Sequence, residues 1–139
     1  MSELSLVAVT RLARIAFLVG AVTDGLAVLP MLSRRVGVKL FGGDASNDRP
    51  EYRFAMRLGA SLMAGWTVLL LWGAIRPIER RDLLLLTVVP VVAGILAATG
   101  IAARRGVLRT ARVLPLWVHL AAVCVFYIVV YALSGRFAH

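Results

Sequence analysis

The sequence predicts an all-α, polytopic membrane protein, built as a bundle of four transmembrane helices. Its 139 residues are 60% hydrophobic and only 17% charged, whereas charged residues make up about 25% of an ordinary soluble domain. Four apolar runs each approach the ~20 residues that a helix needs to cross about 30 Å of hydrocarbon. They occupy residues 13–32, 54–75, 83–103 and 113–134. Because these runs use most of the chain, we expect one transmembrane domain.

The first apolar run contains a carboxylate, Asp24. Nine strongly apolar side chains in this run contribute about −3 to −5 kcal/mol to insertion, and a carboxylate near the bilayer centre opposes this by about 2.5 to 3.5 kcal/mol. We therefore expect the first helix to need its neighbours. Arg11 and Arg14 precede the run as they would precede a signal peptide, but no small-x-small cleavage site follows it.

The first connection, residues 33–53, is the longest and is the expected functional loop. Its apolar beginning, residues 36–41, suits the membrane interface. Asp48 and Glu51 have the spacing of a capping box, and Pro50 suits a first helical turn, so we expect the second helix to begin here. The loop lacks the glycine and the distal glutamate of a calcium-binding loop, so we predict no metal site.

The third run carries eleven Leu, Ile and Val residues and no charge between residues 83 and 103, so it should insert unaided. Pro90 lies inside it and lacks a backbone donor, which predicts a kink that frees the carbonyl of Leu86. Thr87 lies close enough in the sequence to satisfy that carbonyl. Pro115 lies near the start of the fourth helix, where proline is tolerated without a kink.

The polar side chains inside the runs gather in the half of the membrane next to the first and third connections. Asp24 lies eight residues from the end of its run, and Arg57, Ser61 and His119 lie near the same side of theirs. Asp24 follows Ala16 and Gly20 at intervals of four residues, and Arg57 precedes Ser61 and Gly65 at the same interval, so each charge shares a helix face with small residues. Membrane helices approach one another at such faces. We therefore predict an inward ligand-binding cluster of Asp24, Arg57, Ser61 and His119. Trp66 lies too deep for the interfacial belt, so it either packs or lines a ligand cavity.

Alternative interpretations of these residues stay open. The Asp24–Arg57 pair can be a structural lock that neutralises both charges and fixes the helix register, or part of a functional site. His119 can be a core histidine bonded to a backbone carbonyl. The chain has one other histidine, His139, and one cysteine, Cys124. Neither a bis-histidine haem nor disulfide redox chemistry is expected, and we predict no cofactor.

The net charge of +9 comes almost wholly from arginine at the ends of the runs. In a membrane protein this pattern favours anionic lipid headgroups over nucleic acid as partners. The side that carries the first and third connections has nine basic residues against six on the other, which favours a cytoplasmic position for those connections. Four arginines in the third connection are predicted to bind headgroups, or alternatively to draw an anionic substrate toward His119. They are Arg104, Arg105, Arg109 and Arg112.

Four segments resemble those of uncharacterised small four-helix integral membrane proteins of bacteria, broadly DoxX-like in layout. They are residues 51–57 (EYRFAMR), 66–67 (WT), 77–81 (PIERR) and 87–90 (TVVP). The resemblance covers most of the chain. It implies the four-helix fold and a multi-pass position in the bacterial inner membrane, but it implies no activity.

Three functions fit these features. In the first, Asp24, Arg57 and His119 bind a small apolar molecule or a lipid headgroup, with acid-base chemistry available to Asp24 or His119. In the second, the protein is a homodimeric transporter that exchanges protons at Asp24 for its substrate. In the third, the chain is a membrane anchor or accessory subunit in which the charged pair serves assembly alone. Whether the protein is an enzyme stays open at this stage.

Overall fold

A computed structural model describes residues 3–41 and 50–137 of the chain. These residues form helices joined by short connections and include no β-strand. Four of the helices are long and apolar enough to cross a membrane. The all-α prediction of a four-helix bundle is confirmed, and the chain is a multi-pass membrane protein.

The membrane-crossing helices end close to the predicted runs, but the first begins at Glu3, ten residues before the predicted start at residue 13. In chain order the helices are α1 (Glu3–Leu32), α2 (Arg34–Phe41), α3 (Pro50–Ile75), α4 (Asp82–Arg104) and α5 (Thr110–Gly135). Helices α1, α3, α4 and α5 cross the membrane, and α2 is short. Among the described residues, helix α3 begins at Pro50. The capping residue of the predicted pattern, Asp48, lies outside the described residues, so the capping box stays a prediction.

Helix α4 accommodates its proline by a change of helix type. The segment Thr87–Val92, which contains Pro90, is π-helical, and such segments are recognised sites of helix bending. The Thr87 hydroxyl donates to the carbonyl oxygen of Leu83 at 2.7 Å. The predicted acceptor, the carbonyl oxygen of Leu86, was wrong. The reason is that a threonine hydroxyl in a helix bonds most readily to the carbonyl four residues earlier.

Helix α1 packs most extensively along α3. Near one end, the ring of Phe17 fills the space beside Gly73, and near the other end the sulfur of Met31 lies 3.6 Å from the position of a Cβ at Gly59. Fourteen residues along α1 thus correspond to fourteen along α3 in the opposite direction. The two helices are antiparallel and keep one register over the whole contact.

The buried core lies between α1, α3, α5 and the first turn of α4. It consists of Ala13, Ala16, Phe17, Ala21, Leu70, Ala74, Leu84, Tyr127 and Val130. The alanines of α1 allow close helix approach. Helix α4 has the smallest buried share of the four membrane-crossing helices, and α1 has the largest. This order matches the insertion argument, in which the first helix needs its neighbours and the third does not.

Candidate functional site

Asp24 lies inside the bundle, with 9% of its surface exposed. Its Oδ2 atom has no hydrogen-bond partner, and no ion pair involving Asp24 is found within residues 3–41 and 50–137. A buried polar atom without a partner costs about 1–3 kcal/mol. Native structures contain few such groups, and each calls for an explanation.

The structure does not bring Arg57 to Asp24. In the α1/α3 register Asp24 lies level with Trp66, halfway between the two contacts that define that register. Arg57 is nine residues further along α3, about 13.5 Å at 1.5 Å per residue, and its side chain is exposed on the outside of the bundle. The predicted Asp24–Arg57 ion pair is therefore not formed. The prediction failed because it compared the depths of the two residues from the ends of their runs and did not include the register between α1 and α3.

The other two members of the predicted cluster behave differently from each other. Ser61 is exposed, and its hydroxyl donates back to carbonyl oxygens of its own helix at 3.1 and 3.3 Å, so it does not join Asp24. His119 is also exposed, but its Nε2 atom lies 3.5 Å from the hydroxyl oxygen of Thr23. His119 therefore reaches α1 beside Asp24, at the outer edge of the α1/α5 contact.

Tyr127 is the site residue that the sequence did not reveal. Its side chain is 1% exposed, and its hydroxyl oxygen fills the space that a Cβ at Gly20 would need. Gly20 lies one turn before Asp24 on the same face of α1, where Cβ atoms are about 5–6 Å apart, so the Tyr127 hydroxyl oxygen lies about one turn from the Cβ of Asp24. That hydroxyl also lacks a hydrogen-bond partner among the described residues. Two unpartnered polar atoms from facing helices therefore lie about one helical turn apart, without a hydrogen bond between them.

The direction of the Tyr127 side chain explains why the sequence positions of the polar residues did not reveal it. The Cα atom of Tyr127 belongs to the half of the membrane opposite the predicted cluster. Side chains on a helix point back toward its N-terminus, and in α5 this direction runs toward the level of Asp24. The available signal was the small stripe of Ala16, Gly20 and Asp24, which leaves room for a long aromatic side chain from a neighbour.

Trp66 has its donor satisfied. Its indole N–H donates to the hydroxyl oxygen of Thr87 at 3.2 Å, so it joins α3 to α4 across the bundle. The side chain is half-buried and packs against the core. Of its two predicted roles, packing is the one that the contacts describe.

The arginines of the third connection lie at the surface. Arg104, Arg105, Arg109 and Arg112 are all exposed. The connection turns at Gly106, whose φ of 70° suits glycine better than any residue with a Cβ. Just inside the membrane, the indole N–H of Trp117 donates to the hydroxyl oxygen of Thr99 at 2.8 Å and holds α4 to α5.

Comparisons with known proteins add no identity. The sequence matches no protein-family model and no curated protein, and the fold matches no solved structure. The resemblance to DoxX-like proteins therefore stays a prediction. Within the described parts of the chain, no group of three or more His, Cys, Asp or Glu side chains could hold a metal ion.

The chemistry of the site follows from Asp24 and Tyr127. A carboxyl oxygen accepts a hydrogen bond, and a phenol hydroxyl donates one and accepts others. Together they complement a group that both donates and accepts. The two unpartnered atoms have essentially no exposed surface, so a proton fits without rearrangement, whereas a larger molecule enters only when α1 and α5 separate locally.

Proposed function

We propose that this protein binds a small, largely apolar molecule that carries one hydroxyl, amide or amine group. The site is formed by Asp24 and Tyr127 between α1 and α5. The observation that carries this proposal is the pair of buried, unpartnered atoms, Asp24 Oδ2 and the Tyr127 hydroxyl. A ligand group that donates to one and accepts from the other would offset about 1–3 kcal/mol at each atom.

The charge around the site narrows the class of ligand. Arg57, the cation expected beside Asp24, lies about 13.5 Å away along the helix axis. An anionic lipid headgroup is therefore a poor match for Asp24. A neutral or basic group fits better, and an apolar remainder matches the alanines, leucine and phenylalanine of the surrounding core.

The contact between His119 and Thr23 marks the edge of the α1/α5 interface at which a ligand would enter when the two helices separate. His119 lies on the outside of the bundle and Thr23 is half-buried next to Asp24. The surface of α5 around His119 is apolar, with Leu114 and Val118 both exposed. A ligand dissolved in the bilayer would reach the site sideways, past His119, without passing through water.

One observation favours a homodimer, which the second candidate function, a proton-coupled transporter, requires. Arg57 and Ser61 lie on the exposed side of α3 within a membrane-crossing helix. A polar face in contact with hydrocarbon is costly, and a second copy of the chain would shield it. Cross-linking of cysteines introduced at Leu58 and Leu62, which flank this face, tests for that copy.

The cellular position is also a proposal. The resemblance to four-helix proteins of bacteria supports the bacterial inner membrane, and the exposed arginines of the third connection support contact with anionic lipid headgroups on one side of it.

Native mass spectrometry of the protein purified in a mild detergent tests the ligand proposal. We expect an adduct of a small molecule on the wild type, and its loss in Tyr127→Phe, which removes the hydroxyl alone. Tyr52→Phe makes the same change at an exposed tyrosine of α3 and should keep the adduct. Repeated absence of any adduct on the wild type, or equal retention by both variants, would contradict the proposal.

A further inference from the structure

A second group of unpartnered polar atoms lies at the opposite end of the bundle, where α4 begins and α5 ends. We refer to Arg81, Tyr131, Ser134 and Gly135 as the Arg81 site. The guanidinium carbon of Arg81 lies 5.3 Å from the centre of the Tyr131 ring. A Cβ at Gly135 would lie 2.7 Å from Arg81 Nη1, so this glycine leaves the space that the guanidinium fills.

Two donors in the Arg81 site have no acceptor. Arg81 Nη1 and Ser134 Oγ are both buried and lack a hydrogen-bond partner in the described parts of the chain, and Ser134 is 0% exposed. The carboxylate nearest in the sequence, Asp82, lies 3.9 Å from Arg81 Nε, and its side chain is 74% exposed. Such an exposed ion pair contributes little to stability. It also leaves the other guanidinium donors of Arg81 available.

Three other arginines at this end of the bundle each donate to an acceptor. Arg14 Nε donates to the carbonyl oxygen of Ala74 at 3.3 Å, and Arg80 donates to the carbonyl oxygen of Trp72. Arg76 donates to the carboxylate of Glu79 at 3.2 Å. Among the described residues, Arg81 alone has a buried guanidinium nitrogen without a hydrogen-bond partner.

We propose that the Arg81 site binds a phosphate group. A guanidinium presents a planar fork of donors that matches phosphate oxygens, and Ser134, next to Gly135 in the sequence, carries a second buried donor without an acceptor. The site lies where two membrane-crossing helices end and where tyrosine and tryptophan rings favour the headgroup region, so the phosphate of an anionic lipid and free phosphate are the two sources. This site is independent of Asp24 and its ligand.

Lipid retention measured by native mass spectrometry tests the site. The wild type and variants are placed in phosphatidylcholine nanodiscs with and without phosphatidylglycerol, and in parallel are titrated with inorganic phosphate. We expect Arg81→Gln to weaken phosphatidylglycerol retention by about tenfold or more, the scale of a lost hydrogen bond to a charged group. The control is Arg76→Gln, which changes an exposed arginine that already pairs with Glu79. This variant should retain the lipid as the wild type does.

The other possible results distinguish lipid phosphate from free phosphate, or overturn the proposal. Arg81-dependent binding of inorganic phosphate without lipid preference would support the site and assign it to free phosphate. Equal retention of both ligands by Arg81→Gln and Arg76→Gln would overturn the proposal. Where Arg81→Gln does not fold, Ser134→Ala decides, because it removes one small buried hydroxyl, and wild-type affinity in that variant would also overturn it.

Discussion

The hydroxyl of Tyr127 fills the space that a Cβ atom at Gly20 would need. This fit sets how closely α1 and α5 approach at the level of the bundle core. It also holds a phenol oxygen one helical turn from the Asp24 carboxyl, and neither the Asp24 Oδ2 atom nor that hydroxyl has a hydrogen-bond partner in the described chain. The site therefore depends on a glycine as much as on its two polar residues.

Gly20→Ala should destabilise the bundle. The added methyl group overlaps the Tyr127 hydroxyl, and overpacking of this kind costs about 1–3 kcal/mol. Denaturant unfolding in detergent measures the loss, and the double variant Gly20→Ala with Tyr127→Phe should recover part of it. Gly65→Ala is the matched control, because a Cβ there meets no atom within 4 Å. A loss as large in Gly65→Ala would show that the Tyr127 contact is not the cause.

Asp24 and Arg57 should be energetically independent. Their levels differ by about 13.5 Å along the helices, and residues more than about 7–10 Å apart have additive effects within about 0.3–0.5 kcal/mol. A double-mutant cycle with Asp24→Asn and Arg57→Gln therefore predicts no coupling in unfolding free energy. The cycle of Asp24→Asn with Tyr127→Phe should give a coupling above about 0.5 kcal/mol, since the two groups are neighbours. Coupling in the first cycle and not in the second would restore the structural lock.

Thr87→Val should loosen the attachment of α4. The substitution removes the acceptor of the Trp66 indole N–H and leaves that donor unsatisfied, at a cost of about 1–3 kcal/mol. Hydrogen exchange of α4 backbone amides should become faster. Thr67→Val is the control, because the Thr67 hydroxyl bonds only to the Met63 carbonyl of its own helix among the contacts described. Unchanged exchange in Thr87→Val would mean that packing alone holds α4.

Gly106→Ala should destabilise the third connection. The residue has a φ of 70°, where a Cβ costs about 1–2 kcal/mol. Gly100→Ala, in a helix and with open space around the added atom, should be neutral or stabilising by up to about 1 kcal/mol. Thermal unfolding of both variants in the same detergent makes the comparison. Equal melting temperatures would contradict the assigned backbone conformation.

The sequence predicted the elements of this fold well, because their signals are local. Insertion energy identified the four membrane-crossing helices. Asp24 was identified as a buried residue for the same reason, since one carboxylate in an apolar run has a clear cost. The neighbouring residue Tyr127 was not predicted, because which side chains of two helices lie near each other depends on the register between the helices. That register follows from contacts such as Phe17 with Gly73, which no periodicity within one helix contains.

Photolabelling with a membrane-soluble alcohol tests the proposed binding site most directly. A long-chain alcohol bearing a diazirine near its hydroxyl is added to the protein in lipid nanodiscs, irradiated, and located by peptide mass spectrometry. We expect labels on both the Gly20–Asp24 and the Tyr127 peptides, reduced in Tyr127→Phe and absent with the matching diazirine alkane, which lacks the hydroxyl. Equal labelling by the alcohol and the alkane, or labels spread evenly over the outer faces of the helices, would contradict a polar binding site between α1 and α5.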